Sequence, residues 1–141
     1  MKFQTPKSGV YYLYRLKLKG GYNYIGITKY PQVRLQQHFD GEGANFTKNH
    51  KPQRVIELHR LGNMTYYEAQ KIETMRTLQI MQYNKRTRGG LYIQEDEDIE
   101  DILRCNIIPA PFIHKYEKIN IPKLKLPEKP KKPNKEEVWK E

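Results

Sequence analysis

Tyr11, Tyr24, Arg34, His38 and Glu73 bring two phenols, a guanidinium, an imidazole and a carboxylate into one stretch of a 141-residue chain. Hydrolysis of a phosphodiester calls on these residue types. Water must be held in line, its proton taken, and the extra negative charge met by cations. The departing oxyanion also needs help, which a metal ion can supply. Residues 1–94 hold only five acids, too few for a site that surrounds two ions with several carboxylates. One hydrated Mg²⁺ or Mn²⁺ on one carboxylate is the count that this supply supports. A phenol with an ordinary pKa near ~10 is a poor base at neutral pH and serves only where cations favour phenolate. Each residue also has a plainer place: strand aromatics are ordinarily cross-strand partners, and a helix Arg or Glu is ordinarily solvated.

The elements that must position these groups follow from pattern. Gly9 to Lys17 is aromatic and aliphatic without helix caps and reads as a strand. Lys19-Gly20-Gly21 supplies the positive φ angles of a hairpin, and Tyr22 to Ile27 returns. Pro31 starts a helix to about Phe39, which Asp40-Gly41 stops, so Arg34 and His38 share one face. A polar loop spans Gly41 to Pro52, and a third strand spans Arg54 to His59. Thr65-Tyr66-Tyr67-Glu68 forms a capping box, and Ala69, Ile72, Met75 and Leu78 give the helix behind it a buried stripe. That helix fades near Gln82 to Asn84, where Asn84 has the type of a C-cap. The expected fold is α/β, a small three-stranded antiparallel sheet flanked by helices over residues 7–88. A short acidic helical extension follows at 89–116, around Ile99, Ile102 and Leu103. From 117 to 141 lysines alternate with prolines, and an extended, flexible tail is expected.

Charge indicates the partner. The net charge is +10 and the mean hydropathy −0.92. Residues 1–94 carry sixteen Lys and Arg against five acids, whereas 95–114 carry six acids against one Arg. A folded region so positive repels itself unless it meets an anion, and nucleic acid is the commonest one. Lys29, Lys48, Lys51, Arg54, Arg60, Lys85, Arg86 and Arg88 are the expected phosphate contacts, positioning a duplex without reading bases. Asn45-Phe46-Thr47 is an ordinary loop, or one able to stack on an unpaired base. Cys105 is the single cysteine, so an internal disulfide and a Cys-rich zinc site are excluded; His50, His59 and His114 lack ligand spacing. No apolar run approaches the ~18 residues that span a bilayer. With no apolar stretch in Met1 to Pro6, a cytoplasmic chain is expected, or a nuclear one if eukaryotic.

Gly9-Val10-Tyr11 followed a hairpin later by Tyr24-Ile25-Gly26 resembles the paired signature of the GIY-YIG nucleases. Arg34 stands eight residues past Gly26, where this family places an arginine on its first helix, and His38 lies one turn beyond. Glu68-Ala69-Gln70-Lys71-Ile72-Glu73 resembles the second-helix pattern, and Asn84 lies near the asparagine that often closes the motif. Gly43 to Lys48 resembles a loop of the junction-cutting branch, although no zinc module follows. The resemblance implies a DNA endonuclease. In it Tyr11 acts as base, alone or through Tyr24, Arg34 meets the scissile phosphate, His38 relays a proton and Glu73 holds the metal. Glu68 is the helix cap. Asn84 joins the nucleic-acid contacts.

Two other classes stay open. One is a binding module that keeps this fold without turnover. The other is an interaction or anti-defence protein that uses residues 95–141, with Trp139 as a possible anchor. A homodimer is equally open.

Overall fold

The structure, a computed structural model, describes residues 7–124. Strands β1 (Ser8–Leu18) and β2 (Tyr22–Thr28) form the expected hairpin. Gly20 and Gly21 take it round at φ +86° and +77°, where a side chain would strain the backbone. Helices α1 (Pro31–Phe39) and α2 (Asn45–Asn49) follow, then β3 (Pro52–Thr65) and α3 (Tyr66–Met81). The chain continues through β4 (Thr87–Gly89), α4 (Ile99–Cys105), a 3₁₀ turn at Ile113–Lys115 and β5 (Glu117–Lys118).

The sheet has five strands in the order β4-β2-β1-β3-β5. The expected three-stranded antiparallel sheet is its centre, with β1 between β2 and β3. Two short edge strands correct the expectation: β4 runs parallel to β2, and β5 pairs antiparallel with β3 at His59 and Arg60. Strands of three and two residues leave no alternation to read, and both lie in basic stretches that suggest solvent or phosphate. The sheet thus reaches residue 118, past the boundary expected at 117. Ile119 and Leu124 pack on the core beyond it, while residues 125–141 lie outside the described region.

Two cores cover the two faces, divided by the two-residue period of the strands. Tyr14, Leu16, Leu18 and Tyr24 face α1 and α2, packing on Leu35, Phe39 and Phe46. Tyr11, Leu13 and Ile25 face α3, packing on Ala69 and Ile80. Full burial of one such leucine is worth roughly 1.5–3 kcal/mol. The capping box forms as read, Thr65 Oγ1 accepting from the Glu68 amide at 3.2 Å. The stripe on α3 is rotated, however: Ala69 and Leu78 are buried while Ile72 and Met75 are only half-buried, and Thr77, Ile80 and Met81 complete the contact.

Candidate active site

Glu73 is positioned by the end of an edge strand. The Asn23 amide points to β4, donating to the Arg86 carbonyl at 2.8 Å. By the two-residue period the amides of Ile25 and Ile27 point the same way. Strand β4 stops at Gly89, opposite Ile25, which leaves the Ile27 amide free of the β4 ladder and near the Glu73 carboxylate, whose charge it favours. A side chain at 89 would close this edge, since a Cβ there would stand 2.5 Å from the Ile25 carbonyl and 2.6 Å from Thr77 Oγ1. Burial pushes the Glu73 carboxyl up to about 8, against the opposing pull of the Ile27 amide. From this edge its charge also reaches the hydroxyls of Tyr24 and Tyr14 on the α1 face.

On that face Tyr14 and Tyr24 stand together because Tyr14 pairs with Gly26 and Leu16 with Tyr24. Arg34 on α1 stands near the Tyr14 hydroxyl, where its charge favours the ionised phenol, and donates to Gln37 Oε1 at 3.1 Å. One turn on, His38 is fully buried, its Nε2 2.7 Å from the Tyr14 hydroxyl and its Nδ1 2.8 Å from Thr47 Oγ1. Burial, then repulsion by Arg34, holds its imidazole neutral, down at about 3. Burial, then the Glu73 charge, pushes Tyr24 up to about 12 although Arg34 pulls it down. Tyr14 is raised further still, by burial first and then by Tyr24. The arginine therefore acts on both phenols as expected, but desolvation outweighs it. Neither is a standing phenolate.

Four of the five expected residues, Tyr24, Arg34, His38 and Glu73, thus interact as one group, and Tyr14 joins them. Tyr11 lies on the α3 face, its ring 6.4 Å from that of Tyr66 and with the Lys29 ammonium 5.7 Å from its centroid. Tyr14 escaped the sequence reading because no tripeptide marks it. The available signal was parity, since an even-numbered strand residue shares the face of Tyr24.

The expected phosphate contacts divide into two sets. Lys29, Lys48, Lys51, Arg54, Arg60 and Lys85 are exposed, with side chains outside the bonds that tie the hairpin turn. Lys48 and Lys51 line a cavity of about 350 Å³ together with His38 and Thr47. The other set works inside the fold. Arg88 is buried and donates to the carbonyls of Lys85, Thr87, Gln94 and Glu95. Asn84 Nδ2 donates to the Gly21 carbonyl at 2.9 Å, and Arg86 Nη1 to that of Gly20 at 2.7 Å, tying the hairpin turn to the end of α3. The segment Asn45-Phe46-Thr47 opens α2, with Phe46 and Thr47 buried and the Phe46 ring stacked on Tyr24 at 6.2 Å.

Among the described residues there is no group of three His, Cys, Asp or Glu that could hold a metal. The half-buried Glu73, outside any such group, fits a mostly hydrated hard cation, not a many-carboxylate cage.

An α/β sheet that gathers two tyrosines and an arginine on one face, within electrostatic reach of a glutamate on α3, has the parts of a phosphodiester-cleaving domain. Residues 7–84 match the GIY-YIG catalytic domain, and the chain belongs to that family, whose members are generally endonucleases using divalent metals. It is similar to UPF0213 protein FN1575 of Fusobacterium nucleatum, 29% identical over 92 residues, which cover 65% of this chain and 86% of that protein. UPF0213 protein Reut_B5558 of Cupriavidus pinatubonensis is 46% identical over 46 residues, a third (33%) of this chain and 51% of its own length. UPF0213 protein H16_B0156 of Cupriavidus necator is 40% identical over 63 residues, 45% of this chain and 66% of its own. No solved structure matches.

Proposed function

We propose that the protein is an endonuclease that hydrolyses DNA phosphodiester bonds with one divalent cation, Mg²⁺ or Mn²⁺, on Glu73. The observation that carries the reading is the grouping of Tyr14, Tyr24, Arg34 and His38 on one face of the sheet, within electrostatic reach of Glu73. Arg34, the charged donor of the group, meets the scissile phosphate and its added negative charge. Tyr14 takes the place first read onto Tyr11: its hydroxyl receives the proton of the attacking water as its own passes to His38 Nε2. A neutral imidazole is what such a transfer needs. Tyr24, against Phe46, orients the water and the phosphate oxygen. Lys29, held over Tyr11, with Lys48, Lys51 and Arg54, lies along the flanking phosphates. A cation on Glu73, when bound, stabilises the charge that develops on the departing oxygen.

A plasmid-nicking assay with Mg²⁺ tests this by comparing the wild type with Glu73→Ala. Nicking by the wild type, its loss in the variant and unchanged DNA binding by both is the expected result. If both proteins bind DNA and leave it intact, the fold serves binding alone and the nuclease reading is wrong.

A further inference from the structure

We propose that Thr47 is a positioning residue of this site, holding the His38 ring in its Nδ1–H tautomer so that the bare Nε2 can take the Tyr14 proton. The catalytic consequence rests on the nuclease reading; the tautomer itself does not.

Counting protons assigns the tautomer. Thr47 has one hydroxyl proton, and it goes to the Ala44 carbonyl at 2.9 Å. Toward His38 Nδ1, 2.8 Å away, Thr47 Oγ1 can then only accept, so Nδ1 carries the proton. Nε2 is left bare and accepts from the Tyr14 hydroxyl at 2.7 Å, with the Arg34 guanidinium nearby. Three hydrogen bonds therefore run head to tail, from the Tyr14 hydroxyl through His38 and Thr47 to a backbone carbonyl. In the opposite tautomer Nε2–H would donate to Tyr14 and Thr47 would turn its proton to Nδ1. The Tyr14 proton would then face Arg34, which has only donors. A buried hydroxyl without an acceptor is costly, so the first arrangement wins. Burial, with repulsion by Arg34 added, keeps the ring singly protonated in the resting site at neutral pH. It carries a second proton only while the added negative charge of the phosphate stands beside it.

The surroundings leave the rings little freedom. A Cβ on Gly43 would stand 2.3 Å from His38 Nδ1, and one on Gly26 would stand 2.2 Å from the Tyr14 hydroxyl. Thr47 in turn is fixed by α2, which Phe46 anchors on Tyr24. The hydroxyl is also separable from the fold. The Ala44 carbonyl accepts the Lys48 amide at 3.0 Å as well, so Thr47→Val strands no acceptor there.

The test is the nitrogen-15 spectrum of the histidine rings in the full chain, read beside cleavage kinetics. The wild type should show His38 as Nδ1–H, Thr47→Ser should keep it, and Thr47→Val should shift the population toward Nε2–H. With DNA and Mg²⁺, Thr47→Val should lower kcat roughly ten- to a hundredfold, as loss of a group that orients a site residue does, with KM little changed. Thr47→Ser should restore most of it. A wild-type ring protonated on Nε2 overturns the proposal without recourse to any variant. An unshifted tautomer in folded Thr47→Val overturns it too, as does wild-type kcat in that variant. If the wild type cuts no DNA, the nuclease reading falls while the ring spectrum still decides the tautomer.

Discussion

Gly26 is required by what lies over it. The Tyr14 hydroxyl and ring cross the sheet above residue 26, and a Cβ would meet them at 2.2 and 2.3 Å. Gly26→Ala should therefore displace Tyr14 and cost turnover even though the glycine touches no substrate. Two further substitutions separate the tyrosines. Tyr14→Phe keeps the ring in its core but removes the hydroxyl between Arg34 and His38, and cleavage should fall by about 10² or more, the usual scale for a proton-transfer group. Tyr11→Phe leaves that chain of bonds untouched and should cost much less. The opposite ranking in a single-turnover assay would return the base to Tyr11. The sequence names Tyr24, Arg34, His38 and Glu73 because tripeptide and helical spacing are local signals. It points to Tyr11, on the α3 face, rather than to Tyr14 beside Tyr24, because the face of a strand depends on register. With Leu18 opposite Tyr22, paired positions sum to an even number, and only even residues of β1 join Tyr24.

At the scale of elements, the far end of the sheet is held by charge. Glu57 on β3 accepts from Arg76 Nη2 of α3 at 2.6 Å, from Arg15 Nη1 of β1 at 3.3 Å, and lies 2.9 Å from His59 Nε2. Burial works to raise this carboxyl, but hydrogen bonds from His59 and Arg76 and the charges of Arg76 and Arg15 prevail and hold it at about 2. A depressed carboxyl stabilises the folded state above its unfolded pKa, near ~4.3, and loses that contribution as pH falls toward the folded value. Glu57→Gln should cost about 3 kcal/mol at pH 7, the scale for breaking a buried ion pair, and urea titrations should show the gap closing between pH ~4.5 and ~2. A gap that persisted undiminished down to pH ~2 would mean shape, not charge, is what the variant loses. The helices were legible because Pro31, the capping box at Thr65 and the Gly20-Gly21 turn are residue-specific devices. Strands β4 and β5 were not, because strands this short are set by what they lie beside. Helix α2 was hidden for the same reason, its only buried side chains being Phe46 and Thr47.

Across the whole molecule, the uneven charge of the sequence becomes an arrangement in space. The acidic segment does not trail away from the basic domain but folds onto it. Glu95 accepts from Asn49 at 3.2 Å, its other oxygen lies 2.8 Å from His50 Nε2, and Glu100 pairs with Lys85. These contacts lie beside α2 and just past α3, next to residues expected to meet DNA. Lys85 and Glu100 are largely exposed, so their pairing is weak and easily exchanged for a phosphate. On the proposed nuclease reading the segment competes with DNA at modest cost, and Glu95→Gln combined with Glu100→Gln should bind duplex DNA about two- to fivefold more tightly at ~50 mM salt. The advantage should shrink toward ~0.3 M salt, because exposed charges are then screened within a few ångströms, while the melting temperature stays nearly constant. Affinity equal to the wild type at low salt would show that the acids solvate their own segment and do not restrain the basic face.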